Sequence, residues 1–533
     1  MGGLTVGETG AAALWSDSGY VTEIAYTRDY LRYQAPVTMA FAAACNGFTP
    51  PDYNAPFRYC DLGCGEAVTL LTLAASYPQG QFVGVDLNPA HIENARALAQ
   101  QAGLTNVTLL TTDFADPALR DHGPFDFIAA HGVYSWVSPE VQRAIHALVG
   151  ATLAEGGLFY FCHYVRPGAA RTETLFHLIQ SLMIGMTGPL EIRARAAVAK
   201  ARALLDSKAP LFAAYPDFAS DIEDLESRDP RYLVHEFCNR YFYPRYVAEI
   251  SGDLAEEALY PVGSTRMDRN DLANLFPEPM TEALDGLTRA EADARASLLA
   301  QDSFRWDLYQ KQGSGPAAPQ RKLADLARFH LDAAVFPYGF PKGVTLWERP
   351  ASFETPAFLA LSEGGREGTR TIGDLISRAA IAAFAPEDLH QTLRDMVASR
   401  WFQALARPAL MPFSKRDQVL GFCHPLSAAL CARDVLLEGG ISLPSRRLGA
   451  ALGLGRFDSI AAWAHHGRNR AEARIYLRAQ LDALDPETAA KLKAEQVASP
   501  EDFAAAWSKF ERTVLPLLIK YEILAPVPAA DRG

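Results

Sequence analysis

The sequence predicts an α/β fold built on an open, mainly parallel sheet, and three features of residues 57–165 predict it. Short β-rich runs alternate there with helical ones, the pattern of successive βαβ units. Glycines crowd the turn between the first such strand and its helix, where the chain must reverse tightly. The run Leu158–Val165 is almost wholly apolar or aromatic, as a strand covered on both faces has to be.

The elements follow in order. Phe57–Asp61 is the first strand, and Gly63 and Gly65 form the turn after it. A helix carrying Val68, Leu70, Leu71 and Leu73 on its apolar side ends near Pro78 and Gly80. Gln81–Asp86 is the second strand; Asn88 then caps a helix with Pro89 as its first residue and Gly103 as its stop. Val107–Thr111 and Phe125–Ala130 are strands three and four. A helix opens at Ser138-Pro139-Glu140 and runs to Gly156-Gly157, before strand five. Apolar recurrence at three and four residues then predicts a helical insertion at about residues 169–232. Helical residues 246–259 and β-rich runs at 260–264 and 303–309 read as the closing helix and last two strands of the same sheet.

Outside that sheet, residues 1–50 read as an N-terminal helical segment or lid. Tyr26, Tyr30 and Tyr33 are spaced there by four and three residues on one face. Residues 313–320, rich in Gly, Ser, Pro and Ala, read as a linker. Residues 321–533 form a separate, mainly helical region with a small sheet near Val344–Leu361.

A chain of 533 residues is long enough for two or three domains. Its formal charge of −12 argues against a nucleic-acid binder, which must neutralise phosphates. No apolar run approaches the roughly 20 residues that span a bilayer, and no Lys or Arg precedes the short apolar stretch at the N-terminus. A cytoplasmic protein without a membrane partner is expected. The seven cysteines are scattered and odd in number, which suits reduced thiols. His424, Cys431, His465 and His466 show no zinc spacing, so no metal is expected. Basic Arg193, Arg195, Lys200 and Arg202 and acidic Asp221, Glu223, Asp224 and Glu226 read as solvated helix faces.

The glycine turn Asp61-Leu-Gly-Cys-Gly65 is compatible with a nucleotide cofactor, and its neighbours choose between two. A nicotinamide dinucleotide wants a glycine where bulky Val68 stands, and an acid at Asp61 would repel its pyrophosphate. The same acid suits a cofactor with an ammonium and a sulfonium. Asp86 closes the second strand, where it can accept both ribose hydroxyls beside Leu87. Asp113 follows the third strand, where it can accept from an adenine amino group beside Phe114. Three acids at one sheet edge predict S-adenosylmethionine, with S-adenosylhomocysteine as product. The third glycine usual in such a loop is Ala67 here, a mild change unless the backbone needs a positive φ.

The fourth strand runs into His131-Gly-Val-Tyr-Ser-Trp-Val137, the loop expected to face the cofactor. Together with Phe125-Asp-Phe-Ile128 it resembles the class I, Rossmann-like bacterial methyltransferases that carry a methyltransferase regulatory domain. The rickettsial lysine methyltransferases acting on an outer-membrane protein are in that group. The likeness extends through Arg58–Gly65, Gly84–Leu87 and the helix from Ser138. It continues more faintly through His235-Glu-Phe237 and Asp302–Asp307, and fades beyond the linker. It implies a protein or peptide lysine acceptor and a homodimer. One segment departs: Ser-Tyr-Asn leading to Pro-Gly-Trp is replaced by Cys162-His163-Tyr164-Val165-Arg166-Pro167-Gly168-Ala169, so the acceptor pocket differs.

A lysine acceptor must first lose a proton, which costs roughly 4.6 kcal/mol at pH 7 from a pKa of about 10.4. Tyr134 and Trp136, with Ser135 and Tyr164 nearby, are expected to line a desolvating channel that lowers this cost. His131 or His163 would instead serve as general base for a hydroxyl, carboxyl or small amine. The alternatives are therefore a small-molecule N- or O-methyltransferase of a biosynthetic pathway, or a catalytically silent interaction protein on the same scaffold.

Overall fold

The computed structural model describes residues 21, 30–271, 276, 280, 282–333, 343–346, 349–366, 371–399, 402–406, 420–434, 440–482 and 500–527. Tyr26 lies outside them.

Seven strands form the main sheet: β1 Phe57–Leu62, β2 Gly80–Asp86, β3 Val107–Thr111, β4 Phe125–His131, β5 Leu153–Arg166, β6 Leu259–Ser264 and β7 Phe304–Lys311. Their order is 3-2-1-4-5-7-6, and the two-residue strand Arg245–Tyr246 lies beside the end of β5. Strands β1 to β5 pair in parallel, while β7 runs antiparallel between β5 and β6. The expected α/β sheet is present, with its last two strands where the sequence placed them. Two boundaries differ from expectation. The helix after β4 stops at Thr152, and β5 begins at Leu153 rather than Leu158, because Leu153 already pairs with Phe125 across a register shift.

Helices cover both faces. Tyr59, Phe127, Ala129, Tyr160 and Cys162 face α1 (Pro36–Cys45), α2 (Val68–Ser76) and α3 (Pro89–Gln101). Cys60, Leu62, Ile128, Phe159 and Phe161 face α4 (Pro139–Thr152) and, after the insertion, the helix Val247–Glu256. The caps read from sequence form: Asn88 Oδ1 accepts the Ala90 N–H at 3.0 Å, and Ser138 Oγ the Val141 N–H at 3.4 Å. The N-terminal segment is not all lid, because α1 is buried along almost its whole length.

The insertion is five helices: α5 Ala169–Met183, α6 Leu190–Asp206, α7 Pro210–Ala214, α8 Phe218–Ser227 and α9 Pro230–Phe237. They close on a core of their own around Phe176, Ile179, Val198 and Phe218. The basic and acidic runs read as separate solvated faces meet here. Arg202 is bidentate on Glu226 at 3.1 and 2.8 Å, and Arg195 donates to the carbonyls of Glu226 and Arg228.

Beyond β7, the segment expected to be a linker is pinned at both ends. The Gly313 N–H donates to Glu155 at 3.0 Å, and the Gln320 N–H to the Gly47 carbonyl at 2.9 Å. Phe329, Phe358, Leu361, Leu389 and Leu393 then join the same core as α1 and α2. The hairpin of Gly440–Ser445 with Ala450–Gly455 lies against α2, and Ser76 Oγ donates to the Ala450 carbonyl at 3.3 Å. A second core around Leu443, Ile460, Trp507 and Leu518 completes the C-terminal region. Among the described residues that region is mainly helical, with four two-stranded pairs; the one expected near Val344 is Gly343–Leu346 with Arg349–Ser352.

Candidate functional site

The turn from β1 into α2 is built on left-handed backbone. Gly63, Gly65 and Ala67 have φ of +77°, +55° and +57°. Position 67 does require a positive φ, so an alanine there carries strain of roughly 1–2 kcal/mol that a glycine would not. A Cβ on Gly63 would collide with Cγ2 of Val133 in the loop after β4, whereas a Cβ on Gly65 would meet nothing within 4 Å. The turn is closed on its inner side and open on its outer side.

Because β3, β2 and β1 are neighbours in the sheet, Asp113, Asp86 and Asp61 stand in a row along its carboxyl edge. Asp86 Oδ2 accepts the Gly65 N–H and Oδ1 the Asn88 N–H, both at 2.8 Å. The carboxylate is thereby fixed in orientation. Leu87 beside it is 39% exposed, unusual for a leucine this close to a core. Asp113 is exposed, with Oδ1 accepting the Ala115 N–H at 2.8 Å, and half-buried Phe114 packs on the core below.

Asp61 is 3% exposed, and burial together with the nearby Asp86 carboxylate pushes its carboxyl up to about 7. Two acids held this close favour a cation between them and the open side of the turn. The arrangement fits S-adenosylmethionine: Asp61 toward the ammonium, Asp86 toward the ribose hydroxyls, Asp113 toward the adenine amino group, and Leu87 and Phe114 as apolar cover. Of the lid residues, the Leu31 N–H donates to Thr69 Oγ1 of α2 at 3.0 Å, and the Tyr30 hydroxyl lies against Ala451 of the C-terminal hairpin. Tyr33 packs on Trp306 of β7 with ring centroids 5.8 Å apart.

The acceptor side corrects several sequence expectations. Tyr134 is 1% exposed; its hydroxyl sits 3.0 Å from His146 Nε2 and its ring stacks on that imidazole. Trp136 turns instead into the insertion core, against Phe242 at 4.8 Å. These two rings diverge and do not wall one channel. His163 is a buried partner of Asp307, with Nε2 to Oδ2 at 2.9 Å, and stacks on Phe161 at 4.3 Å. A ring enclosed in that way is not presented to a substrate. Ser135 is buried and structural too, its Oγ accepting the Tyr164 N–H at 2.9 Å. Tyr134, Ser135 and Trp136 share one reason, the loop after β4 folding over the sheet end so that its side chains find partners inside, whereas His163 is held within β5 by Asp307 of the neighbouring strand.

His131 does border the site. Its Nδ1 lies 2.9 Å from the Tyr160 hydroxyl, and burial holds the imidazole down at about 4. It stays neutral near pH 7, so retaining a proton there would cost on the order of 4 kcal/mol. It is suited to orienting a group, not to storing its proton.

Sequence reading missed Tyr160, which alternates onto the same face of β5 as Tyr164, and it missed Glu236 of α9. Tyr164 donates to Glu236 Oε1 at 2.7 Å. Around Tyr164 stand Phe304 at 4.9 Å, Phe242 at 5.0 Å and Trp136 at 5.8 Å between ring centroids. Burial pushes the Glu236 carboxyl up to about 7. The result is a half-buried acid hydrogen-bonded to a tyrosine that is itself surrounded by rings, toward the carboxyl end of β5. Its signal was present in His235-Glu-Phe237, but the packing that joins α9 to β5 is not readable from spacing.

A methyltransferase-domain family model matches residues 54–183, the stretch holding the three acids, the glycine turn and His131. An uncharacterized protein of Synechocystis is 28% identical over 382 residues, 71% of this chain and 75% of its own length. An uncharacterized protein of Rickettsia prowazekii is 37% identical over 129 residues, 24% of this chain and 51% of its own length. Among solved structures, PKMT2 from Rickettsia typhi in complex with AdoHcy superposes with a TM-score of 0.69 at 17% identity, over 94% of this chain and 99% of that one. The likeness in fold thus includes the insertion and the C-terminal region as well as the sheet.

Proposed function

We propose that this S-adenosylmethionine-dependent methyltransferase transfers its methyl group to lysine side chains of a protein. The observation that carries the reading is the Tyr164–Glu236 pair at 2.7 Å within its aromatic surround. A lysine ammonium has complementary chemistry: the carboxylate attracts it, and the rings desolvate its stem and engage its charge. The resemblance of the sequence to lysine methyltransferases supports the same reading.

The bound cofactor supplies an electrophilic methyl group on a sulfonium. Asp61, Asp86 and Asp113 hold and orient it, while Gly63 allows Val133 to close the inner side of the turn. His131, kept neutral and tied to Tyr160, orients the approach. Glu236 holds the lysine proton at its carboxylate, whose raised pKa brings it nearer to that of the amine. Positioning of the amine accounts for much of the remaining acceleration.

The test is to incubate the protein with methyl-labelled cofactor and a lysate of its source cell, then to hydrolyse the labelled protein fraction. Label on methylated lysine is expected, and Glu236→Gln should weaken transfer at least tenfold while leaving S-adenosylhomocysteine affinity within about twofold. Label confined to small metabolites would contradict the lysine reading and favour a small-molecule acceptor.

A further inference from the structure

A cavity of about 360 Å³ opens beyond the carboxyl end of β6, between Gly263–Ser264 and the helix Arg289–Leu299. Its size falls within the roughly 300–1,000 Å³ of small-molecule sites. Nothing in the cofactor or acceptor chemistry above uses it.

Its lining is rich in guanidinium groups, and they are not equivalent. Arg305 is saturated by carboxylates, with Asp293 at 2.7 Å, Asp302 at 3.1 Å and Asp307 at 2.8 Å. Arg269 is paired with Asp302. Those three acids are thereby occupied. The fourth lining acid, Asp271, accepts from the Gln391 side chain at 3.2 Å. Arg289 and Arg321 also line the cavity, and among the described residues neither has a carboxylate within ion-pairing distance. Arg289 instead lies over the ring of Phe48 at 5.7 Å.

Arg394 adds a further guanidinium behind the wall. It is 3% exposed and donates to the carbonyls of Asn270 at 3.1 Å and Cys45 at 3.5 Å, neither of which carries charge. Burial holds Arg289 down at about 10; Asp293 offsets part of that as a counter-charge, while Arg321, Arg394 and Arg305 act as like charges. A guanidinium that faces a cavity with no carboxylate in ion-pairing contact has donors to offer a ligand, and its planar fork matches carboxylate and phosphate oxygens.

We propose that this cavity is a binding site for a small polyanion bearing carboxylate or phosphate groups, held by Arg289 and Arg321. The site joins β6–β7 of the sheet and the helix Arg289–Leu299 to Arg321, just past the 313–320 connector, with Arg394 of the C-terminal region behind it. It shares no residue with the three-acid crevice.

The test is calorimetric titration of the full chain with citrate and, separately, with inorganic phosphate, at fixed ionic strength. One of the two should bind with one-to-one stoichiometry at about millimolar concentration or tighter, and which one does so identifies the recognised group. Arg321→Gln, at an exposed position on the rim, and Arg289→Gln should each weaken binding about tenfold or more. Arg289→Lys should retain part of it, and S-adenosylhomocysteine affinity should stay within about twofold throughout. Arg321→Gln decides alone if Arg289→Gln does not fold. Absence of binding for both anions at about 10 mM, or equal affinity in wild type and Arg321→Gln, would overturn the proposal.

Discussion

The Gly65 N–H donates to Asp86 Oδ2 at 2.8 Å, so the glycine turn after β1 and the acid that closes β2 are one unit. The bond crosses between neighbouring strands and fixes the carboxylate before any ligand arrives. A residue bound in this way is poised to accept from hydroxyls without paying for its own reorganisation.

Gly63 and Val133 should behave as a coupled pair. Gly63→Ala puts a methyl into Val133 Cγ2 and onto a backbone at φ +77°, and cofactor affinity should fall by about 2 kcal/mol. Val133→Ala in the same chain should recover part of the loss, because only the collision is relieved. Additive losses in the double-mutant cycle would show that the two residues do not meet.

Cofactor affinity should depend on pH through Asp61. In the free protein this carboxyl sits near 7, and a cationic ligand selects its ionised form. Affinity should therefore rise with pH up to about 7 and then level, and at pH 6 it should be about tenfold weaker than at pH 8. Asp61→Asn should flatten the profile. The sign for folding is the opposite: a carboxyl raised above its unfolded value stabilises the free protein most at low pH, and that contribution is lost as pH rises through 7.

Tyr134 should prove structural. Tyr134→Phe removes the hydroxyl that meets His146 at 3.0 Å and Arg245 at 3.4 Å, which should cost about 1–2 kcal/mol of stability. The turnover number should change less than about twofold. A fall of a hundredfold with unchanged melting would restore it to the acceptor channel.

Asp307→Asn should be one of the more damaging single changes in the sheet. The side chain is 3% exposed and joins His163 and Arg305, and Arg305 holds its carboxyl far below the usual range. Breaking a buried pair from one side costs roughly 3–5 kcal/mol, measurable by denaturant unfolding.

The parts legible in the sequence were those governed by local pattern. Strand and helix periods located β1 to β7, and turn chemistry located the Gly63–Gly65 loop, the Asn88 cap and the acids that follow each strand. The acceptor side was not legible because partners far apart in the chain decide it. Tyr134 is turned inward by His146, Trp136 by Phe242, and His163 by Asp307, while Glu236 reaches Tyr164 from the far end of the insertion. Ala67 shows the same limit at short range: its substitution was visible, but the φ of +57° that makes it matter was not. The shared core that joins Phe329 and Phe358 to α1 likewise left no trace in the connector's composition.

The three-acid crevice is tested most directly by calorimetric titration of S-adenosylmethionine into the wild-type chain and into Asp86→Ala. The wild type should bind one equivalent, and the variant should lose at least about 2 kcal/mol, roughly thirtyfold in affinity, through the missing charged hydrogen bonds to the ribose. Equal affinity in a variant that melts like the wild type would contradict the assignment of the crevice.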